Sequence, residues 1–330
     1  MKISIVVPVF NLENEISAAL DSIFAQTYPS IEVIAVDDGS MDGTARVLDL
    51  YAANEPRLSV LHQKNGGASS ARMAGIKAAS GDYIGFLDGD DRIDPDMFEI
   101  LMRNACAEDA DIAHCGYRLV NREEVTFFYN TGERSVQDGR QATKALLEGT
   151  KVEPSLCNKI FRAELFEQVL MNSTFDLSLR NNEDLLLNYL LFRRAKTVVF
   201  EDVCPYQYIV RSNSVSKGNL NIHQFADPVK AAQTIYADAK EDPLLQTAAE
   251  RLLITKLIRA ATCYKTATPA MVEMRRTMQK TLRSTVRHYL KNNEERFGRR
   301  ALALFAALLP RTYDFVHQKY LGMQGSSLWT

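Results

Sequence analysis

Residues 83–91 read Tyr-Ile-Gly-Phe-Leu-Asp-Gly-Asp-Asp, a short apolar run that leads into three carboxylates within four positions. A continuous apolar run bounded by polar residues is typical of a buried strand. In open α/β sheets, ligands bind outside the carboxyl ends of the strands. Asp88, Asp90 and Asp91 would repel one another there unless a cation such as Mg²⁺ or Mn²⁺ bound their oxygens. The stretch therefore predicts a strand that ends at a metal site, and a surface turn is the alternative because Asp and Gly favour turns.

The residues around this stretch alternate between strand-like and helix-like patterns. Apolar runs at residues 3–9, 31–36, 58–62 and 83–87 predict strands, and the segments between them predict helices. Such alternation is typical of βαβ units, so the predicted fold class is α/β with a doubly wound, mainly parallel sheet. Further strands are expected at 110–116, 197–201 and 206–210, with an antiparallel hairpin within 118–135. From residue 224 to about 310 the pattern is helical, which predicts an α/β domain at 1–220 and a helical region at 221–330.

The composition is that of an ordinary globular protein, with 46% hydrophobic and 24% charged residues. The five cysteines are odd in number and widely spaced, and no Cys-x-x-Cys pair or Cys/His cluster indicates zinc. Reduced thiols in a cytoplasmic protein are therefore expected. No apolar run reaches the roughly 18 residues of a membrane span, and the N-terminal pattern does not favour a signal peptide.

The net charge of −2 conceals a strong asymmetry along the chain. Residues 251–330 hold 15 Lys and Arg against 4 Asp and Glu, a balance of +11, which leaves −13 for residues 1–250. A basic segment of this kind predicts an anionic partner, either a membrane surface or a nucleic acid, and a solvated helical face is the alternative. Within this segment, the apolar run between Arg300 and Pro310 fits either an interfacial helix or a buried one.

Charged residues follow the second and fourth predicted strands and lie on the helix between them. Asp37 and Asp38 end the second strand, and Arg72 lies in the first turns of the helix that precedes the fourth. An Arg can bind phosphate bidentately, a carboxylate can accept from a base or ribose, and a metal can bridge phosphates. The set therefore suits a nucleoside diphosphate. No Gly-x-Gly-x-x-Gly follows the first strand and no P-loop motif is present, which excludes the common dinucleotide and P-loop patterns.

These segments resemble, in order and spacing, the motifs of family 2 glycosyltransferases, which are inverting enzymes of GT-A fold with nucleotide-sugar donors. The first half matches at residues 7–11 (VPVFN), 36–40 (VDDGS), 65–72 (NGGASSAR) and 86–91 (FLDGDD). The resemblance continues at 156–162 (LCNKIFR), 182–184 (NED) and 211–216 (RSNSVS), so it covers roughly residues 1–218. Phe10 stands where the family usually has Tyr, and Cys157 stands where it often has Trp.

The resemblance implies roles on the donor side. Pro8, Phe10 and Asp38 would line a uracil pocket, with Asp38 accepting from the base N–H. Arg72 would approach the base or the diphosphate. Asp90 is the implied metal ligand, and Asp88 would meet the ribose and join Asp90 at the metal. Asp91 would support the donor sugar. For Asp37, a structural role is the alternative to a role in binding the ligand. Asp42 is predicted to cap the second helix.

The resemblance also implies roles beyond the donor motifs. Asp184 matches the position of the general base, and Glu183 is the second catalytic candidate. Lys159, Arg211 and Ser216 would contact phosphates or close a lid over them. The full donor-binding set is Pro8, Phe10, Glu13, Asp38, Arg72, Asp88, Asp91, Lys159, Arg211 and Ser216.

The function implied is metal-dependent transfer, with Mn²⁺ or Mg²⁺, of a sugar from a UDP-sugar to a glycan or lipid-linked acceptor. Direct attack would invert the anomeric carbon and give a β-linkage in a bacterial surface polysaccharide. A cytoplasmic protein is expected, peripheral to the inner membrane face through its basic C-terminal region, with no nucleic-acid partner. One alternative is a sugar nucleotidylyltransferase, which needs a glycine-rich loop that residues 9–13 lack. The other is a non-catalytic module that binds a nucleotide or glycan.

Overall fold

The computed structural model describes residues 1–121, 124–127, 130–171, 176, 178–211, 220–264 and 268–321. The chain divides into two compact units. The first unit comprises Met1–Ala142, Glu153–Ser178 and Leu190–Gly218, and the second comprises Thr143–Val152, Leu179–Tyr189 and Asn219–Thr330. Two short segments that lie within the first 220 residues thus belong to the second unit. The functional assignment of 1–220 and 221–330 stays a prediction.

One sheet holds ten strands of the described residues. They are β1 (Ile3–Val9), β2 (Ile31–Asp37), β3 (Leu58–His62), β4 (Tyr83–Phe86), β5 (Arg92–Ile93), β6 (Ile112–Val120), β7 (Val125–Phe127), β8 (Arg134–Asp138), β9 (Lys159–Arg162) and β10 (Thr197–Ile209). The order is β3-β2-β1-β4-β9-β6-β10-β5, with β7 on β6 and β8 on β10. Strands β3, β2, β1 and β4 are parallel to one another. β4 and β6 are both antiparallel to β9, so β6 runs in the same direction as β4. β10 is parallel to β6 and therefore shares this direction. The mainly parallel α/β prediction is confirmed.

Several predicted elements differ in detail from the observed ones. The predicted hairpin is formed by β6 and β7, which pair antiparallel. The two strands expected at 197–201 and 206–210 are one strand, β10, whose register shifts between Glu201 and Tyr206. The sequence pattern did not predict β5 or β9.

Helices cover the sheet and form most of the second unit. They are α1 (Ile16–Phe24), α2 (Thr44–Ala52), α3 (Ala68–Ala78), α4 (Met97–Glu108), α5 (Gly139–Glu148), α6 (Ala163–Met171), α7 (Glu183–Phe192), α8 (His223–Ala239), α9 (Gln246–Ala261), α10 (Pro269–Tyr289), α11 (Phe297–Leu308) and α12 (Pro310–Val316), followed by a short π-helical turn, His317–Leu321. The succession α8–α12 confirms the predicted helical C-terminal region. Among the described residues, no helix combines the length and apolar character that crossing a membrane requires.

The core of the first unit explains why the strand ends are held in place. Every residue of β1 except Pro8 is buried, as expected for a central parallel strand covered on both faces. Gly75 lets α3 pack directly on this strand, because a Cβ at that position would lie 2.3 Å from Cγ1 of Val6. The N-terminal turns of α3, which carry Arg72, are therefore held close to the sheet.

His114 on β6 is the unusual member of this core. Its ring is fully buried and stacks on Phe200, with ring centroids 4.7 Å apart. Within the described part of the chain, neither ring nitrogen has a hydrogen-bond partner. Burial, followed by the nearby Lys159 ammonium, lowers the pKa of His114 well below its ordinary value. The imidazole is therefore neutral at physiological pH.

The second unit has its own apolar core, to which α8–α12 all contribute. Large members of this core include Ile254, Leu257, Leu282 and Tyr289. Glu295 is buried beside it and accepts from Nε of Arg251 at 2.6 Å. This ion pair lowers the pKa of Glu295, although burial alone would raise it. The helices of this unit thus pack around a continuous core rather than forming isolated surface helices.

Candidate functional site

The carboxyl ends of three adjacent strands form the candidate site in the first unit. β1 pairs in parallel with β2 on one side and β4 on the other, and Val9 lies opposite Asp37. The loops that carry Phe10, Asp38 and Asp88 consequently leave the sheet side by side. The Phe10 ring is exposed and Pro8 is half-buried. The structure thus brings the predicted donor residues of β1, β2 and β4 to one sheet edge, where α/β sheets bind ligands.

The loop after β1 is fastened to the loop after β2 by polar contacts. Asn11 has φ of +52°, a left-handed conformation that Asn tolerates, and its Oδ1 accepts from the amide of Met41 at 2.8 Å. Oε2 of Glu13 accepts from the amide of Gly43 at 2.6 Å. Asp42 accepts from the amide of Thr44, the first residue of α2, at 3.0 Å. Glu13 therefore has a structural contact here, and its donor role stays a prediction.

Asp38 is buried and holds the loop between β3 and α3. Its Oδ1 accepts from Nε2 of Gln63 at 2.7 Å and from the amide of Gly66 at 2.8 Å, and its Oδ2 accepts from the amide of Gly67 at 2.7 Å. A carboxylate offers about four acceptor positions. Three are used by this loop, which leaves about one for a ligand.

Asp37 is paired within the protein. Its Oδ2 lies 2.9 Å from Nδ1 of His62, and its Oδ1 accepts from the amide of Ser40 at 3.0 Å. Burial alone would raise the pKa of Asp37, but the bonds from Ser40 and His62 lower it. The Asp37 carboxylate in turn raises the pKa of His62, with a smaller contribution from Asp49. These bonds to His62 and Ser40 give Asp37 a structural role, which was the alternative to ligand binding.

Two arginines bind the partly exposed carboxylates after β4. Nη2 of Arg72 lies 3.0 Å from Oδ1 of Asp88. Arg211 forms an ion pair with Asp90 through Nη2 and reaches Oε1 of Glu15 at 3.0 Å through Nη1. Arginine is suited to phosphate because its planar fork can donate two parallel hydrogen bonds. The edge thus gathers two cationic side chains next to two carboxylates.

The carboxylates after β4 suit a divalent cation that takes only one or two ligands from the protein. Among the described residues, no three His, Cys, Asp or Glu side chains are arranged to hold a metal ion on their own. Asp88 and Asp90 offer carboxylate oxygens, which are hard donors, and both side chains are partly exposed. Mg²⁺ sites commonly use one or two carboxylates and take the remaining ligands from phosphates and water. These two residues fit that pattern.

Asp91 differs from its two neighbours because it is buried. Its Oδ2 accepts from the hydroxyl of Tyr206 at 2.5 Å, and its Oδ1 accepts from the amide of Ile209 at 2.9 Å. Burial, together with the negative charge of Asp88, raises the pKa of Asp91 to about 7. The contacts tie the segment after β4 to β10. Support of a donor sugar by Asp91 stays a prediction.

Lys159 lies in the core, on β9. Its ammonium group is fully buried and donates to the carbonyls of Glu153 and Ser155 and to Oδ1 of Asn158, at 2.6–2.8 Å. Three acceptors match the three donors of an ammonium group. This is the geometry of a structural lysine, so the structure does not bring it to the exposed donor edge. Ser216 lies outside the described residues.

The catalytic candidates stand at the start of α7, in the second unit. The predicted helix start at residues 182–184 is confirmed, since α7 begins at Glu183 and Asn182 has φ of +61°. Asp184 is half-buried, and its Oδ1 accepts from the amide of Leu185 at 2.7 Å. A carboxylate is stabilised at a helix N-terminus. Burial and Arg259 lower the pKa of the nearby Lys256, and Asp184 acts in the opposite direction.

Three supporting residues were not predicted from the sequence. Gln63 bonds Asp38, Tyr206 bonds Asp91, and Glu15 bonds Arg211. Each lies far along the chain from its partner, so local pattern gave no signal for it.

Fold and site together define an α/β protein whose sheet edge gathers carboxylates and arginines and has no glycine-rich phosphate loop. The sequence profile of Glycosyl transferase family 2 matches residues 4–170, half of the chain, and the protein belongs to this family. The uncharacterized glycosyltransferase EpsJ of Bacillus subtilis (strain 168) is 37% identical over 218 residues, which cover 65% of this chain and 63% of EpsJ. The GlyA glycosyltransferase of Streptococcus pneumoniae is 33% identical over 224 residues, 66% of this chain and 32% of GlyA. The matched part of this chain thus spans less than two thirds of either relative.

A crystal structure of residues 1–349 of S. aureus TarS in complex with UDP-GlcNAc shares the fold. Its TM-score is 0.74 with 20% sequence identity, and the match covers 96% of this chain and 92% of that one. The likeness extends across both the sheet and the helical region. The predicted GT-A fold is confirmed.

Proposed function

We propose that this glycosyltransferase moves a sugar from a UDP-sugar to a hydroxyl of a glycan or lipid-linked saccharide, with inversion at the anomeric carbon. The observation that carries the proposal is the shared edge of β1, β2 and β4. It places an exposed aromatic ring, Phe10, and a buried carboxylate, Asp38, beside two arginine–carboxylate pairs. An aromatic face, a hydrogen-bond acceptor and phosphate-binding cations are the three things a pyrimidine nucleoside diphosphate requires.

The uracil end of the donor is assigned to Phe10 and Asp38. The exposed ring of Phe10 offers a face on which a base can stack. The acceptor position left on Asp38 would receive the N–H of the base. Because the other acceptor positions bind Gln63, Gly66 and Gly67, the carboxylate is held in one orientation before a nucleotide arrives. Preorganisation of this kind reduces the entropy lost on binding.

The diphosphate is assigned to Arg72 and Arg211. Both guanidinium groups already lie at the carboxylate-rich edge, where they would exchange a carboxylate partner for phosphate oxygens. Asp90 and Asp88 would hold Mn²⁺ or Mg²⁺, which when bound neutralises charge on the departing diphosphate. The arginines would stabilise the same developing charge through charge-assisted hydrogen bonds.

Asp184 is the proposed general base, on the strength of its match to the family's motif. It would take the proton of the acceptor hydroxyl while that oxygen forms its bond to the anomeric carbon and the bond to the diphosphate breaks. UDP leaves with the electron pair of the broken bond. A single displacement from one face inverts the carbon, so an α-linked donor gives a β-linked product. Glu183 is the second candidate for the base.

The donor and acceptor classes rest on the family resemblance and on the solved relatives. TarS has been crystallised with UDP-GlcNAc and with UDP, which supports a UDP-sugar as the donor here. A surface-polysaccharide acceptor is the expectation given by the family's motifs.

The test is release of nucleotide from a panel of sugar nucleotides in the presence of Mn²⁺, without added acceptor. UDP-GlcNAc, UDP-glucose and UDP-galactose should be hydrolysed slowly, GDP-mannose and ADP-glucose should not, and proton NMR should show the β-anomer as the first free sugar. Equal hydrolysis of all nucleotides would contradict the uracil pocket. An α-anomer as first product would contradict inversion, and pyrophosphate formed from UTP and a sugar 1-phosphate would indicate a nucleotidylyltransferase.

A further inference from the structure

α11 has apolar side chains on its exposed face. Residues 297, 301, 304 and 308 fall within about 60° of the helix circumference at 3.6 residues per turn. All four are exposed, and they are Phe, Ala, Leu and Leu. The residues that the helix buries are Ala303, Ala306 and Ala307. Leu302 and Phe305 are half-buried and also pack on the core. A surface helix of a globular protein normally exposes polar residues on its other face, so the exposed apolar stripe of α11 is unusual.

Two further exposed apolar residues follow α11 along the chain. Leu309 and Phe315 are 54% and 63% exposed, compared with 79% for Phe297 and 62% for Leu308. Phe297, Leu304, Leu308, Leu309 and Phe315 are together called the apolar ridge. Scattered exposed leucines need no explanation, but several large apolar side chains along one helix and the next mark an interaction surface.

Basic residues flank the apolar ridge. From residue 296 to residue 319 the sequence has five Arg or Lys residues and one acid, Asp314. Arg296 and Arg311 are exposed at the two ends of α11, and Nζ of Lys319 lies 5.8 Å from the centroid of the Phe315 ring. Long basic side chains can keep their charge in the headgroup layer while apolar neighbours enter the acyl boundary.

We propose that the apolar ridge and its flanking basic residues dock the second unit on an anionic lipid surface. α11 has 12 residues, fewer than the roughly 20 that cross a bilayer, so the proposed contact is interfacial. The apolar side chains supply the hydrophobic contribution and the cations bind acidic headgroups. The sequence allowed either an interfacial or a buried helix, and α11 has features of both, because it packs on the core with one face and exposes an apolar stripe on the other.

The combination of charge and apolar surface disfavours a second copy of this chain or a nucleic acid as the partner of the apolar ridge. A symmetric contact between two copies would bring like charges together, since a two-fold interface places the same patch on both sides. A nucleic acid would match the arginines and lysine but would leave Leu304 and Leu308 uncovered. An anionic bilayer satisfies both parts of the surface at once.

The test is co-sedimentation of the full chain with vesicles of phosphatidylcholine containing phosphatidylglycerol, compared with phosphatidylcholine alone. The ridge variant carries Phe297→Ser and Leu308→Ser, both at exposed positions. Its matched control is Leu50→Ser, an equally exposed leucine (56%) on α2 in the first unit. The charge variant carries Arg296→Gln and Arg311→Gln, and its control is Arg46→Gln on the exposed side of α2. Circular dichroism and UDP binding should be unchanged in all of them.

The parent should bind anionic vesicles and bind neutral ones weakly. Each ridge substitution should reduce the partition coefficient roughly tenfold and each charge substitution about fivefold at low salt, while both controls bind like the parent. A parent that stays in solution with anionic vesicles, or a ridge variant that binds them fully, would overturn the proposal. It would also be overturned if the parent formed a dimer that the ridge variant lost, or bound duplex DNA, without binding vesicles.

Discussion

The substitution Asp38→Asn separates a structural role of this carboxylate from its proposed role in binding the base. Asparagine keeps one carbonyl oxygen, which can still accept from Gln63 and from the amide of Gly66. The new amide nitrogen then faces the amide of Gly67, where the carboxylate now accepts at 2.7 Å. One hydrogen bond is lost and one donor is left without an acceptor, which costs about 1–3 kcal/mol of unfolding free energy.

The same substitution should have a separate effect on nucleotide binding. A charge-assisted bond to the base contributes about 1.5–3 kcal/mol, so the Kd for UDP should rise about 10- to 100-fold. The Kd values for ADP and GDP should rise less, because the acceptor position is assigned to uracil. Calorimetric titration of the three nucleotides gives the affinities, and urea unfolding gives the stability.

Gln63→Ala is the matched control, since it removes two hydrogen bonds of the loop, to Asp38 and to Ser70, and leaves the carboxylate intact. It should lower stability by about 1–3 kcal/mol and leave the preference for UDP over ADP unchanged. If Asp38→Asn weakened UDP, ADP and GDP equally, or if Gln63→Ala reproduced its loss of selectivity, Asp38 would serve the loop and not the base.

Two further predictions concern a buried histidine and the general base. The native pKa of His114 is lowered, so below its ordinary value near 6.5 the unfolded chain takes up a proton that the native protein does not. The unfolding free energy should therefore fall by about 1.4 kcal/mol per pH unit as pH decreases from the ordinary pKa of histidine toward the lowered native pKa of His114. His114→Phe should remove this contribution and raise stability by about 1–3 kcal/mol at pH 8, because two unpaired ring nitrogens disappear. Urea unfolding of both proteins at pH 8 and pH 5 measures the effect. A pH dependence of stability that is unchanged by the substitution would contradict this prediction. Asp184→Asn should bind UDP normally and lose transfer by about 10²–10⁴-fold, whereas near-normal turnover would make Glu183 the next candidate, with Glu183→Gln as the companion variant.

The parallel part of the sheet could be predicted from the sequence because its strands are buried on both faces. β1 and β3 have the bounds that their apolar runs predicted, Ile3–Val9 and Leu58–His62. Strands β5 and β9 were missed since two and four residues are too few to show a period. β9 also lies between β4 and β6 and is antiparallel to both, an insertion that depends on tertiary pairing.

The candidate site was predictable in its residue types and less so in its contacts. Asp88, Asp90 and Asp38 are at the sheet edge where the motif order placed them. The sequence could not show that Lys159 is buried, because the motif gives no indication of the acceptors that the fold will supply to its ammonium group. Nor could it show that Arg72 and Arg211 would pair with the carboxylates, since each pair joins different segments of the fold.

The central claim is that the edge of β1, β2 and β4 binds a uridine diphosphate through a divalent cation on Asp90. The most direct test is calorimetric titration of UDP, with and without Mn²⁺, into the parent, Asp90→Ala and a control variant. Glu167→Ala is the control, because it removes an exposed carboxylate of α6 in the same unit. Mn²⁺ should tighten UDP binding to the parent and the control and have little effect on Asp90→Ala. Undiminished Mn²⁺-dependent binding by folded Asp90→Ala, or no UDP binding by the parent, would contradict the claim.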